Sequence, residues 1–173
     1  RRVKCTVFGG GGFIGSAIVD RLLRDGHAVR VFERPRIEPY RAFGPGEVVL
    51  TARGYSHRRG VAHLLDSGGQ VITRYNPHHI PLQDAHGQAL DVAAILADCE
   101  PGETRTIEGF FKAPDGKRHR VWAHAYRLPE QAAADARRRC RRAGTRGKYT
   151  PKETTLFLAE FVLVLTSIPP EVL

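Results

Sequence analysis

VFGGGGFIGSAIVDRLL, residues Val7 to Leu23, decides how the start of this chain is read. Val3, Cys5, Val7 and Phe8 are apolar, with Lys4 and Thr6 between them, which predicts a short buried strand over Val3 to Phe8. Gly9 to Gly15 reads as a turn. Ser16 to Arg24 then places Ala17, Ile18, Leu22 and Leu23 at helical spacing, with Asp20, Arg21 and Arg24 on the opposite face. Asp25-Gly26 ends that helix with a residue that tolerates a left-handed backbone. Ala28 to Phe32 reads as a second strand, and Glu33 stands at its end, 18 residues beyond Gly15. The order is strand, glycine-rich turn, helix, strand, acid.

A bare glycine pattern is a weak signal, and the order around it gives it content. Gly9 permits the tight turn, Gly12 lets the backbone approach a pyrophosphate, and Gly15 lets helix and strand pack closely. The helix start offers unpaired N–H groups and partial positive charge to phosphates. Glu33 is placed to accept hydrogen bonds from adenosine ribose hydroxyls, as in NAD sites. Arg34 leaves NADP open, because an arginine there tolerates a 2′-phosphate. An unliganded strand–helix turn is the plain alternative.

GGGGFIGSAIVDRLLRDGHAVRVFERP resembles the extended short-chain dehydrogenase/reductase family, the NAD-dependent sugar epimerases and dehydratases. Gly9, Gly12, Phe13, Ile14 and Gly15 match the family's G-G-x-G-F-I-G pattern, while Phe8 replaces its usual threonine. The resemblance runs from about Val3 to Glu47. It implies a Rossmann-type βαβ unit over residues 1–47, with the backbone at Gly12, Phe13 and Ile14 against the pyrophosphate. The family's Tyr-x-x-x-Lys pair is not matched. YTPKE, Tyr149 to Glu153, is one residue short, and Pro151 opposes a shared helix face.

From Val48 the pattern changes. Val48 to Thr51 and Gln70 to Tyr75 read as strands flanking a helix from Arg58 to Asp66, whose apolar face is Val61, Leu64 and Leu65. Phe110 to Lys112 and His119 to Leu128 predict a hairpin around Asp115-Gly116. Pro129 to Arg142 and Glu153 to Ala159 read as helices, and Phe161 to Ser167 as a buried strand.

The phrases RGYSHRRGVAHLL, VITRYNPHHIPLQDAHGQALDV and ETTLFLAEFVLVLTSIP resemble the DDE insertion-sequence transposases, which have an RNase H-like core. The resemblance covers about Val48 to Leu173. It implies an α/β fold: a partial RNase H-like fragment over residues 48–173, with an inserted β-hairpin, after the Rossmann-type unit. In that family an aspartate precedes Arg-Gly-Tyr and helps hold two divalent metals for phosphodiester cleavage. Here that position is Ala52, and a methyl group cannot ligate a metal. The expectation is therefore no catalytic residue and no divalent metal site. Asp66, Asp84 and Asp91 sit in helix-end or turn contexts. His57, His63, His78, His79 and His86 form no ligand pair of helical spacing.

DNA contact does not need catalysis. Arg137, Arg138, Arg139, Arg141, Arg142, Arg146 and Lys148 give twelve residues seven positive charges and no acid, a run able to neutralise phosphates. A solvated helix end complementing the dipole is the plain alternative. The net charge of +9 favours an anionic partner. Cys5, Cys99 and Cys140 lack paired spacing, so neither a disulfide framework nor a zinc site is indicated. No apolar run is long enough to span a bilayer and no secretory signal pattern opens the chain. The expectation is a cytoplasmic protein with no membrane partner. The sequence holds no methionine, as expected of a trimmed start or a piece of a longer chain.

The combined reading is a hybrid: a truncated transposase-like chain with residual DNA binding, fused to an epimerase-like NAD-binding start and without either full activity. An NAD(P)-binding protein of the epimerase/dehydratase type is the alternative. A chain with no selected function, the product of a rearrangement or an assembly error, also stays open. The transposase-like part lacks its opening strands, so its sheet has unsatisfied edges. The two strands of the first part are the available substitutes, and marginal stability is the expectation.

Overall fold

A computed structural model describes residues 2–8, 13–32, 46–51 and 56–172. Among them the elements run in the order β1 (Lys4–Phe8), α1 (Phe13–Arg24), β2 (Ala28–Phe32), β3 (Val48–Thr51), α2 (Arg58–Asp66), β4 (Gln70–Arg74), β5 (Leu82–Gln83), α3 (Val92–Ile95), β6 (Thr104–Lys112), β7 (Arg118–Arg127), α4 (Glu130–Arg146), α5 (Glu153–Leu158) and β8 (Phe161–Thr166), with a final 3₁₀ turn at Pro170–Val172. They form a mixed α/β fold around one eight-stranded sheet of order β2-β1-β3-β4-β8-β7-β6-β5.

The sheet crosses residue 47 without a break. β1 pairs in parallel with β2 on one side and with β3 on the other, where Cys5, Thr6 and Val7 stand opposite Val48, Val49 and Leu50. β4 extends the parallel set, and β8, β7, β6 and β5 continue it antiparallel. The strands of the first part therefore lie beside β3, where an edge is expected. Burying that edge satisfies a row of backbone donors and acceptors. Thr6 Oγ1 adds a hydrogen bond to Glu47 Oε1 at 2.5 Å.

α1 and α2 end in the same way. Gly26 (φ 78°) follows α1, its N–H bonding Leu23 O, while His27 N–H reaches back to Leu22 O. After α2, Gly68 (φ 81°) bonds Leu65 O and Gly69 bonds Leu64 O. This left-handed closure favours glycine because a Cβ is strained there. The inward face of α1 differs from the expected one. Ile18, Val19 and Leu22 are half-buried, whereas Ala17 is exposed and Leu23 is 55% exposed. One residue turns the helix by about 100°, so Leu23 rotates into solvent once Ile18 and Leu22 face the sheet.

The main core lies on one side of the sheet. Val49, Val71, Leu163, Leu165, Val121, Ala123, Ala125 and Phe111 meet Val61, Ala62 and Leu64 of α2 and Val92 of α3 there. β6 begins six residues earlier than the sequence predicts. Gly109, within the added stretch, marks a close approach. A Cβ there would lie 3.2 Å from Gln83 O and 3.4 Å from Leu82 Cβ, so its absence lets β5 pack against the strand. α4 also runs past its expected end at Arg142 to Arg146. Gly144 is buried in its last turn, where an added Cβ would lie 2.7 Å from both Tyr149 O and Pro151 Cδ.

Candidate functional site

Two places follow from the sequence, and the fold treats them differently. The first is the carboxyl end of the parallel strands. β1 leads through α1 to β2 on one side, and β3 leads through α2 to β4 on the other. The order in which successive strands join the sheet therefore reverses between β1 and β3, which stay parallel to each other. The carboxyl ends of those two strands, at Phe8 and Thr51, flank such a switch point, where open α/β sheets bind ligands. α1 starts at this end, with Phe13, Ile14 and Gly15 in its first turn. Gly9, Gly12 and Glu33 lie outside the described residues, as do Ala52, Arg53 and Tyr55. A shallow basin lined by Arg2, Lys4 and His27 occupies the opposite, amino end of β1 and β2.

The second place is the end of α4. Not all seven expected cations are equivalent there. Arg137 Nη1 donates to Glu160 Oε1, and Arg127 Nη2 donates to Glu160 Oε2 at 3.2 Å. The Glu160 side chain is only 10% exposed, so this bridge clamps α4 to the strand pair β7–β8. Glu160 carried no signal in sequence, because its partners lie 23 and 33 residues away. Arg138 is exposed and pairs with Asp135 at 2.8 Å. Arg139, Arg141, Arg142, Arg146 and Lys148 are exposed and make no ion pair among the described residues. Lys148 has a positive φ of 54°, turning the chain just after the helix.

The remaining candidates are committed to local structure. Asp66 at the end of α2 accepts from Lys117 Nζ, and this bond holds its carboxyl below the usual range. Asp84 accepts from His86 N and Gln88 N at 2.8 Å in a turn, and Asp91 caps α3 through Ala93 N and Ala94 N. His57 caps α2, its Nδ1 accepting from Gly60 N at 3.0 Å. His63, His78, His79 and His86 are exposed. No group of three or more His, Cys, Asp or Glu among the described residues could hold a metal ion. Tyr149 and Lys152 fall in the connection between α4 and α5, not on a common helix.

Two histidines escaped the sequence reading. His119 is 8% exposed and stacks on Phe111 with ring centroids 5.1 Å apart. Burial lowers its pKa; Asp66, with Oδ1 3.9 Å from Nε2, pulls the other way, and Lys117 adds to the lowering. His124 is lowered by burial alone, and its Nδ1 meets Thr106 Oγ1 at 2.9 Å. Cys5, Cys99 and Cys140 are free thiols. No helix among the described residues is long and apolar enough to cross a membrane. No protein-family model matches the chain, and no curated protein matches it.

Proposed function

We propose that the chain is a DNA-binding protein of transposase type without phosphodiester cleavage. One observation carries the reading. Arg139, Arg141, Arg142, Arg146 and Lys148 extend into solvent with no ion-pair partner among the described residues. Arg138, Arg142 and Arg146 recur every four residues, about 6 Å apart along the helix axis. A row of that kind can contact successive phosphates and release condensed counterions. The Glu160 bridge to Arg127 and Arg137 holds the helix in place without engaging the outer cations. Cleavage is excluded from the proposal by the sequence. Where the resemblance expects a metal-holding aspartate, Ala52 offers a methyl group. A gel-shift assay on duplex DNA tests binding. Retardation at low salt that fades as salt rises supports it, and no retardation at low salt ends it.

A second reading, NAD(P) binding, is favoured by the parallel order β2-β1-β3-β4. That order puts a switch point at the carboxyl ends of β1 and β3, the end from which α1 starts. Phe13, Ile14 and Gly15 supply backbone N–H groups in the first turn of α1. Thermal melting with NAD and NADP decides, because a ligand bound only to the folded state raises the midpoint. An unchanged midpoint at millimolar cofactor rejects it.

A further inference from the structure

The face of the sheet opposite the main core carries a pattern that neither reading uses. Arg118, Arg120, His124 and Tyr126 alternate along β7 with the buried His119, Val121, Ala123 and Ala125, and Trp122, on the same face as Arg120, is 8% exposed beneath the Arg120 guanidinium. Pairing places Lys112 beside Arg118, Phe110 beside Arg120, Glu108 beside Trp122 and Val162 beside Tyr126 on this same face. Arg74 of β4 joins it through its register with Val164. Three aromatic rings thus share one face with four cations and a single acid, Glu108. Tyr126 is 38% exposed and Val162 beside it 47%.

The rings are already layered with cations. The Arg118 guanidinium lies over Phe110, 4.7 Å from its centroid, and that of Arg120 over Trp122 at 5.1 Å. Arg118 is held by the carbonyls of Asp84 and Ala85, and Arg120 by Glu108 at 2.7 Å. Such layers are ordered before any ligand arrives. Same-face rows along a strand recur about every 6.7 Å. Exposed bases stack on aromatic rings and guanidinium planes, while nearby cations take the phosphates. A duplex keeps its base faces internal and cannot use this surface in that way.

We infer that the outward face of β6, β7 and β8 binds single-stranded nucleic acid, its bases stacking on Tyr126 and on the Arg118–Phe110 and Arg120–Trp122 layers. Charge complementarity identifies the occupant. An acidic protein would pair with the cations but would have no use for the layered rings. The surface shares no residue with the cations of α4, so the two sites fail or succeed separately.

Trp122 is the chain's one tryptophan and reports on this face. The full chain is titrated with an oligothymidylate of about 12 nucleotides, a length such surfaces span, and with a duplex of the same length. Binding is followed in parallel by anisotropy of labelled oligonucleotide. The single strand is expected to quench Trp122 saturably and the duplex is not. Tyr126→Ala weakens single-strand binding about tenfold, within the range for loss of one stacking ring, and Tyr126→Phe restores it. A variant carrying Arg139→Gln, Arg142→Gln and Arg146→Gln keeps the quenching. Single-strand binding that leaves Trp122 emission unchanged overturns the inference. So does equal quenching by duplex, an unaltered affinity in Tyr126→Ala, or no single-strand binding.

Discussion

Replacing Val7 by alanine tests whether the two parts of the chain fold as one unit. Val7 is 2% exposed in β1, between Val31 of β2 and Leu50 of β3. The change deletes two buried methyl groups, about 1.6 kcal/mol at about 0.8 kcal/mol each. Incomplete collapse of the cavity brings the loss to about 2 kcal/mol. For a chain of this length that lowers the melting midpoint by about 4–8 °C. Trp122 supplies the readout, because it sits on β7 with β3, β4 and β8 between it and β1. Thermal melts followed by Trp122 emission and by far-UV circular dichroism are expected to shift together. A Trp122 transition that stays at the wild-type midpoint, while the dichroism loses part of its amplitude earlier, would refute one cooperative sheet across residue 47.

Gly144→Ala gains about 1 kcal/mol of helix propensity but drives a Cβ to 2.7 Å from Tyr149 O and Pro151 Cδ. Overpacking of about 2 kcal/mol outweighs the gain, so the melting midpoint falls by about 2–4 °C; a raised midpoint contradicts the packing. Glu160→Gln removes the anion shared by Arg127 and Arg137 and is expected to cost about 2 kcal/mol in a urea melt. An unchanged midpoint denies the clamp. His119 and His124 give a pH dependence of definite sign. Both are lowered from 6.5 in the fold, His119 chiefly by burial and His124 by burial alone. The unfolded chain therefore binds protons first, and stability present above about pH 6.5 is lost as the pH falls through the lowered values. His119→Asn is expected to flatten melting midpoints between pH 7.5 and 5.5, and an undiminished slope rejects His119 as a source.

Local signals carried much of the fold. The first strand, the helix that ends at Arg24 but starts at Phe13 where a turn to Gly15 is expected, α2 with its Ser67-Gly68 stop, and the Asp115-Gly116 hairpin are each written in consecutive residues. Partner choice is not. Nothing near Val48 says that β3 will lie beside β1, because that pairing is chosen by which buried edges meet. Leu82–Gln83 and Val92–Ile95 are too short for a period to emerge. The sites follow the same division. Seven cations in one run are visible at once, but their inequality depends on Glu160, far along the chain. The aromatic–basic face joins two strands in register, so only half of it, the alternation from Arg118 to Tyr126, can be read from sequence.

The salt dependence of duplex binding tests the central claim most directly. Five cations at the end of α4 with no ion-pair partner among the described residues predict that log Kobs falls with log salt at a slope of about −4 to −5, near 0.9 per phosphate contacted. Replacing Arg139, Arg142 and Arg146 together by glutamine is expected to reduce the slope by about 3 and weaken binding at every salt concentration. A wild-type affinity that ignores salt, or a triple variant that keeps both the slope and the affinity of the wild type, would contradict the account.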